Sequence, residues 1–153
     1  MIRVAIITVS ERAFQGIYQD QSGPALTALL PAEFSVVEQE IVPDEIERLQ
    51  AAILRSCEQA DLILTTGGTG LGPRDRTPEA TAAALDFLVP GIPERIRAAG
   101  PARSALSRGV AGVRGKTLVI NLPGSPKGAV ESLSAVLAII PHAVAVIKGG
   151  GHE

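Results

Sequence analysis

The chain is poor in the residues that soft metal sites and base-stacking surfaces need. Its single cysteine, Cys57, excludes an internal disulfide and any multi-thiolate cluster. The two histidines, His142 and His152, lie far in sequence from that thiol, which argues against a zinc site; His152 falls in a Gly-rich tail. Aromatic residues make up 3% with no Trp, so the stacking platforms of single-strand binders are largely missing. A net charge of −2 provides no field to recruit nucleic acid, and a ligand must be held by local geometry. The apolar run at the N-terminus is too short for a signal sequence and has no small-residue cleavage site. Residues 128–147 are apolar, but Glu131, Ser132, Ser134, Pro141 and His142 interrupt them, whereas a membrane span needs roughly 20 mostly apolar residues. Two packed helices broken at Pro141 are expected there, in a cytoplasmic protein with neither membrane nor nucleic acid as partner.

With 153 residues and 46% hydrophobic content, the chain is long enough to bury one core, and 1–153 reads as a single domain. Strand-like and helix-like runs alternate, which predicts an α/β fold with a mostly parallel sheet. Arg3–Val9 is nearly all apolar and β-branched, as expected of a strand covered on both faces. After a polar loop, 10–23, come a short helix at Pro24–Leu30 and a strand at Phe34–Ile41. A helix begins at Pro43-Asp44-Glu45 and runs to about Cys57, with Ile46, Leu49, Ile53 and Cys57 on one face, so that the thiol reads as a small buried hydrophobe. A third strand covers Leu62–Thr65. Thr77-Pro78-Glu79 reads as a helix start with Thr77 as N-cap, continuing through Leu88, and 92–99 as a further helix with Arg95 and Arg97 exposed. Val110–Val113 and Thr117–Asn121, around Arg114-Gly115-Lys116, signal a hairpin at a three-residue connection and one antiparallel pair. The expected architecture is a three-layer sandwich: a twisted, mostly parallel sheet with one antiparallel hairpin strand and helices on both faces.

Ligands of open α/β sheets bind beyond the carboxyl ends of the strands, where strand order reverses. Four segments fall at such ends: Ser10 onward, Pro43-Asp44, the loop Thr65-Thr66-Gly67-Gly68-Thr69-Gly70-Leu71-Gly72-Pro73-Arg74-Asp75, and Asn121–Lys127. The glycines of the third segment allow close backbone approach, and its N–H groups, followed by a helix N-terminus, suit an anion. It is no Walker P-loop, because no Gly-Lys-Ser/Thr closes it. Nor is it a good Rossmann loop, because the helix does not start inside the glycine run and the ribose-binding acid is missing. Asp75, a carboxylate within an anion-friendly loop, suggests a metal-assisted phosphate site. The plainer alternative for the loop is a tight strand-to-helix connection without a ligand.

The run from Thr65 to Gly70, with Pro73-Arg74-Asp75 and Thr77-Pro78-Glu79-Ala80-Thr81, closely resembles the MogA/MoaB family of molybdenum-cofactor biosynthesis proteins. Val9-Ser10-Glu11-Arg12, Asp20-Gln21-Ser22-Gly23, Ile41-Val42-Pro43-Asp44-Glu45, Leu106-Ser107-Arg108, Ala111–Lys116 and Asn121–Gly128 resemble it too, in order along nearly the whole chain. The likeness is strongest to the molybdopterin adenylyltransferase branch, including gephyrin-type G domains. It implies transfer of AMP from ATP, with Mg²⁺, to the terminal phosphate of molybdopterin, with release of pyrophosphate. On that resemblance Asp44 and Asp75 are the catalytic and metal-binding carboxylates. Ser10, Thr66, Gly67, Gly68, Thr69, Gly70, Glu79, Ser107, Asn121, Pro123, Gly124, Ser125 and Lys127 are the nucleotide and pterin contacts. The backbone N–H groups from Gly67 to Gly72 would neutralise phosphate oxygens. A homotrimer and hand-over to a downstream metal-insertion protein are further implications. The alternative is a non-catalytic molybdopterin-binding or scaffold paralogue. The residues have plainer readings too: Asp44 as a helix-dipole partner, Asp75 in a loop salt bridge with Arg74 and Arg76, Glu79 on a helix dipole and Lys127 in solvent. The segment between Pro90-Gly91 and Leu106 is a few residues shorter than in these relatives, which bears most on Ser107.

Overall fold

The computed structural model describes residues 1–150; His152 lies outside them. Six strands form one sheet: β1 (Ile2–Val9), β2 (Phe34–Val42), β3 (Leu62–Thr66), β4 (Phe87–Leu88), β5 (Ala111–Arg114) and β6 (Thr117–Leu122), in the order β2-β1-β3-β6-β5-β4. The strands β2, β1, β3 and β6 run parallel. β5 is antiparallel to both β6 and β4, so one reversed strand makes two antiparallel pairs where one was expected.

Side chains on the central strands alternate between two cores. On one face Val4, Ile6, Leu62, Leu64, Leu118, Ile120 and Leu122 meet α2 (Ser22–Leu29), α5 (Gly91–Ala99), α6 (Pro126–Val136) and α7 (Ile140–Ile147). On the other, Ala5, Ile7, Val9, Ile63 and Val119 meet α3 (Ile46–Ser56) and α4 (Thr77–Ala84). These are the three expected layers. Leu49 and Ile53 are buried, with Ile46 and Cys57 packed beside them, and burial pushes the Cys57 thiol up. The run Pro126–Ile147 is apolar and long enough to cross a membrane by composition alone. It is broken by a 3-10 turn at Leu137–Ile139, just before Pro141, and Ala129, Leu133, Val136, Ile140 and Val144 face the sheet core.

Several local expectations are corrected. The polar stretch after β1 contains a short helix, α1 (Glu11–Phe14), and α2 begins at Ser22, two residues before Pro24. Asp20 makes that earlier start possible by accepting from the N–H groups of Ser22 (3.0 Å) and Gly23 (3.3 Å). Helix α4 stops at Ala84, and Phe87–Leu88 pairs instead as an edge strand with Val113 and Gly112. Thr77 is not a cap: its N–H donates to Gly68 O at 3.1 Å, which draws it into the first helical turn with its hydroxyl packed against Gly68. Arg97 is half-buried, donating to Ser107 O and Gly109 O at 3.2 Å each. The hairpin connection has two residues, since Arg114 pairs directly with Thr117.

Candidate functional site

β1 leads to β2 on one side, and β3 lies on the other, so strand order reverses between β1 and β3. A hollow of about 480 Å³ opens where their carboxyl ends diverge. Its walls come from the ends of β1 (Thr8, Val9, Ser10) and β3 (Thr66, Gly67, Gly68), together with Asp44, Asp75 and Gly124. All four segments expected at strand ends therefore contribute to it.

The glycine loop is shaped by hydrogen bonds that also decide which of its groups stay free. Gly67 and Gly68 hold φ of +107° and +70°, and a Cβ on either would collide with Val9 O or with the Thr77 hydroxyl. Gly67 N–H donates to Leu122 O at 3.1 Å and Gly72 N–H to Asp75 Oδ2 at 2.9 Å. The expectation that every N–H from Gly67 to Gly72 faces an anion is corrected at both ends: these two are engaged within the fold. Those of Gly68, Thr69 and Gly70 have no protein partner among the described residues.

Asp44 stands half-buried just beyond β2. Burial raises its carboxyl above the ordinary aspartate range, and the negative charges of Glu11 and Asp75 raise it further. The Glu11 backbone N–H and Arg74 oppose that rise. Sharing the hollow with Arg12 and Arg74, the carboxylates of Glu11, Asp44 and Asp75 form no salt bridge among the described residues. Their donors are all oxygen, as a hard divalent ion requires, and two carboxylates plus phosphate oxygens are a common set for Mg²⁺. Among the described residues, no group of three or more His, Cys, Asp or Glu side chains could hold a metal unaided. The residues fit a cation shared with a phosphorylated ligand.

A second hollow of about 200 Å³ lies beyond the β6–α6 loop, lined by Arg103, Ser104, Ser107, Pro123, Ser125 and Lys127 among others. Gly124 and Pro126 face the first hollow while Pro123, Ser125 and Lys127 face the second, so a single loop forms a wall of both. Ser125 caps α6 by accepting from Gly128 N–H at 3.0 Å, Ser107 Oγ accepts from Gly109 N–H at 3.2 Å, and Ser10 Oγ accepts from Ala13 N–H at 3.2 Å.

Thr69, Gly70, Glu79 and Asn121 line neither hollow. Asn121 is buried at 5% exposure, and both donors and one acceptor position of its amide are engaged within the fold. Its Oδ1 accepts from Val110 N–H at 3.1 Å, and its Nδ2 donates to Thr65 Oγ1 at 2.9 Å and Thr81 Oγ1 at 3.0 Å. Glu79, half-exposed, pairs with Arg108, whose hydrogen bond lowers its pKa. Residues that had drawn no ligand-binding role also line the first hollow: Glu11, Arg12, Tyr18 and Arg74. Glu11 and Arg12 lie inside a segment that carries the family resemblance, but their spacing gave no reason to place them beside Asp44.

The sequence profile of the family described as "Probable molybdopterin binding domain" matches residues 5–142. The chain is 41% identical to a molybdopterin adenylyltransferase of Helicobacter pylori, over 97% of this chain and 89% of that protein. It is 34% identical to the molybdopterin adenylyltransferase of Escherichia coli K12, over 97% and 86%. A crystal structure of the molybdopterin biosynthesis enzyme MoaB from Thermus thermophilus superposes with a TM-score of 0.93 at 50% identity, covering 100% of both chains.

Proposed function

Since the chain belongs to the family of probable molybdopterin binding domains, we propose that it is a molybdopterin adenylyltransferase, transferring AMP from Mg-ATP to the terminal phosphate of molybdopterin. The observation that carries this reading is that Asp44, Asp75 and Glu11 share one hollow with Arg12, Arg74 and the glycine loop, at the reversal of strand order. Relatives that share nearly the whole chain bear the same activity in their names.

In this reaction an oxygen of the pterin phosphate forms a bond to the α-phosphorus of ATP. The bond from that phosphorus to the bridging oxygen breaks, and pyrophosphate leaves with the electron pair. The attacking oxygen is already anionic, so no side chain need remove a proton. The difficulty is bringing two anions together, and this chain's residues answer it by position and charge. Asp44 and Asp75 would hold Mg²⁺, which supplies charge neutralisation between phosphates when bound. Gly68 N–H, Arg12 and Arg74 face the same hollow and would meet phosphate oxygens. The hydroxyls of Ser107 and Ser125 accept from backbone N–H groups, which leaves their protons to be donated to an anion or pterin edge, while Ser10 Oγ accepts from Ala13 N–H and shares a 3.0 Å hydrogen bond with the Tyr18 hydroxyl at the rim of the first hollow. Lys127 and Arg103 add positive charge to the second hollow. Thr66, Gly67, Pro123 and Gly124 shape the walls. Asn121 and Glu79 hold those walls from behind through Val110, Thr65, Thr81 and Arg108, and the N–H groups of Thr69 and Gly70, free of protein partners among the described residues, continue the loop beyond Gly68. A cytoplasmic homotrimer that hands its product to a metal-insertion protein completes the proposal.

The test incubates the protein with molybdopterin and Mg-ATP and measures pyrophosphate and adenylylated pterin. Both products are expected in equal amounts. Tight pterin binding without either product would establish the non-catalytic paralogue instead.

A further inference from the structure

Resting on that reading, we propose that Arg108 is a positioning residue that fixes the backbone of Asp75 and couples it to the second hollow. The loop between β3 and α4 is irregular, and its internal closures are few: Thr77 N–H to Gly68 O (3.1 Å), Asp75 N–H to Gly72 O (3.1 Å) and Gly72 N–H to Asp75 Oδ2 (2.9 Å). These fold the loop on itself without saying where it stands relative to the rest of the site. Arg108 supplies that reference from another part of the chain. Its backbone N–H donates to Thr69 O at 2.8 Å, its Nε to Gly70 O at 2.9 Å and its Nη2 to Asp75 O at 2.9 Å, while its Nη1 pairs with the Glu79 carboxylate.

The arrangement uses what distinguishes arginine from lysine. A planar fork with several fixed N–H directions can hold carbonyls from two separate parts of a loop at once, whereas an ammonium is a point charge on a flexible stem. Glu79, in the first turn of α4, balances the guanidinium charge, so Arg108 acts on the loop through geometry rather than as a free cation beside the phosphates. The brace continues outward: Arg97 of α5 donates to Ser107 O and Gly109 O at 3.2 Å each, gripping the residues on both sides of Arg108. Ser107 lines the second hollow and Asp75 the first. Adjacent residues therefore reach the two hollows, one as a wall and one as a clamp, which fixes the distance between them.

The test compares wild type with Arg108→Lys and Arg108→Ala. Amide hydrogen exchange of residues 69–76 in the protein without substrates should rise in both variants, while exchange in β1 and β3 stays at the wild-type level. In the adenylylation assay, kcat should fall and the Mg²⁺ concentration for half-maximal rate should rise about 10- to 100-fold, the range seen when a group orienting a metal ligand is lost. KM for molybdopterin should change less. Guanidinium ion added to Arg108→Ala should recover part of both effects, and lysine in place of arginine should not. Mg²⁺ titration followed on the 69–76 amides by NMR should show weaker binding in the variants. The exchange and NMR readouts need no turnover, so failure of the proposed reaction and failure of the brace are told apart. Unchanged exchange, or a loosened loop with Mg²⁺ dependence as in wild type, would overturn the positioning role.

Discussion

Gly124 and Gly67 stand back to back where the two site loops meet: a Cβ on Gly124 would lie 3.2 Å from the Cα of Gly67. The contact belongs to a seam that includes Thr66 Oγ1 donating to Pro123 O at 2.6 Å, Ser22 Oγ donating to Gly124 O at 2.7 Å and Gly67 N–H donating to Leu122 O. The glycine loop and the β6–α6 loop are thereby set at a fixed separation, with one hollow on each side of the second. Enlarging Gly124 must push them apart. Gly124→Val should keep the fold, because Gly124 is exposed and outside both cores. Its turnover should drop by up to about 10²-fold, as expected for misplacement approaching 1 Å. Gly124→Ala should fall between, and steady-state rates beside melting curves will show whether activity and stability separate.

Asp44→Asn and Asp75→Asn each remove a charge from the carboxylate cluster while leaving its shape nearly intact. Both are expected to stay folded and to lose at least about 10²-fold in turnover, with the loss larger at low Mg²⁺. Removing negative charge from a crowded cluster relieves repulsion, so neither substitution should lower the melting temperature appreciably. A variant with wild-type turnover would take that aspartate out of the metal site. Asp75→Ala makes a useful comparison, because it also removes the acceptor for Gly72 N–H.

Much of this arrangement was legible in the sequence because each strand announces itself by apolar runs and each site segment follows a strand. Composition and order sufficed to place Ser10, Asp44, the glycine loop and Gly124 around one opening. What escaped depended on contacts between distant segments. Nothing local in Phe87–Leu88 says that it will leave the α4 helix and pair with β5; that choice is made by an available edge. Asn121 looked like a pterin contact because an amide offers donor and acceptor, yet it is buried, with Thr65 and Thr81 taking both donors and Val110 N–H bonding its oxygen. Arg108 was visible only as one member of a motif, and its grip on Gly70 and Asp75 exists only after folding.

Away from the site, Asp61 should control acid stability. It is 2% exposed and receives the Arg3 backbone N–H at 2.9 Å, the Arg3 guanidinium at 3.0 Å and Lys148 Nζ at 2.8 Å, tying β1 and the end of α7 to the start of β3. Burial alone would raise its carboxyl, but the hydrogen bonds from Arg3 and Lys148 outweigh that and hold it well below the usual range. A carboxyl depressed in the folded state stabilises above its unfolded pKa of about 3.9, and that contribution fades as pH falls towards the folded value. Asp61→Ala should cost about 2–3 kcal/mol at neutral pH, below the value for a fully buried pair because both cationic partners are half-exposed. Urea melts from pH 7 to below pH 4 should show the gap between wild type and variant closing on the acid side.

Asp44 makes the opposite prediction, for activity instead of stability. Its carboxyl is raised first by burial and then by Glu11 and Asp75, so it takes up a proton at a higher pH than an ordinary aspartate. A protonated Asp44 is a poor cation ligand, and the proposed reaction should therefore fail on the acid side while common carboxylates are still ionised. Two manipulations should move that acid limb downward. Glu11→Gln removes a neighbouring negative charge while keeping an oxygen that can accept from Asp44 N–H, a contact of 3.4 Å. Excess Mg²⁺ competes with the proton for the same oxygens. Profiles of kcat/KM against pH, taken at low and high Mg²⁺ for wild type and Glu11→Gln, measure both displacements. An acid limb indifferent to both would mean that Asp44 does not ionise in the step that limits turnover.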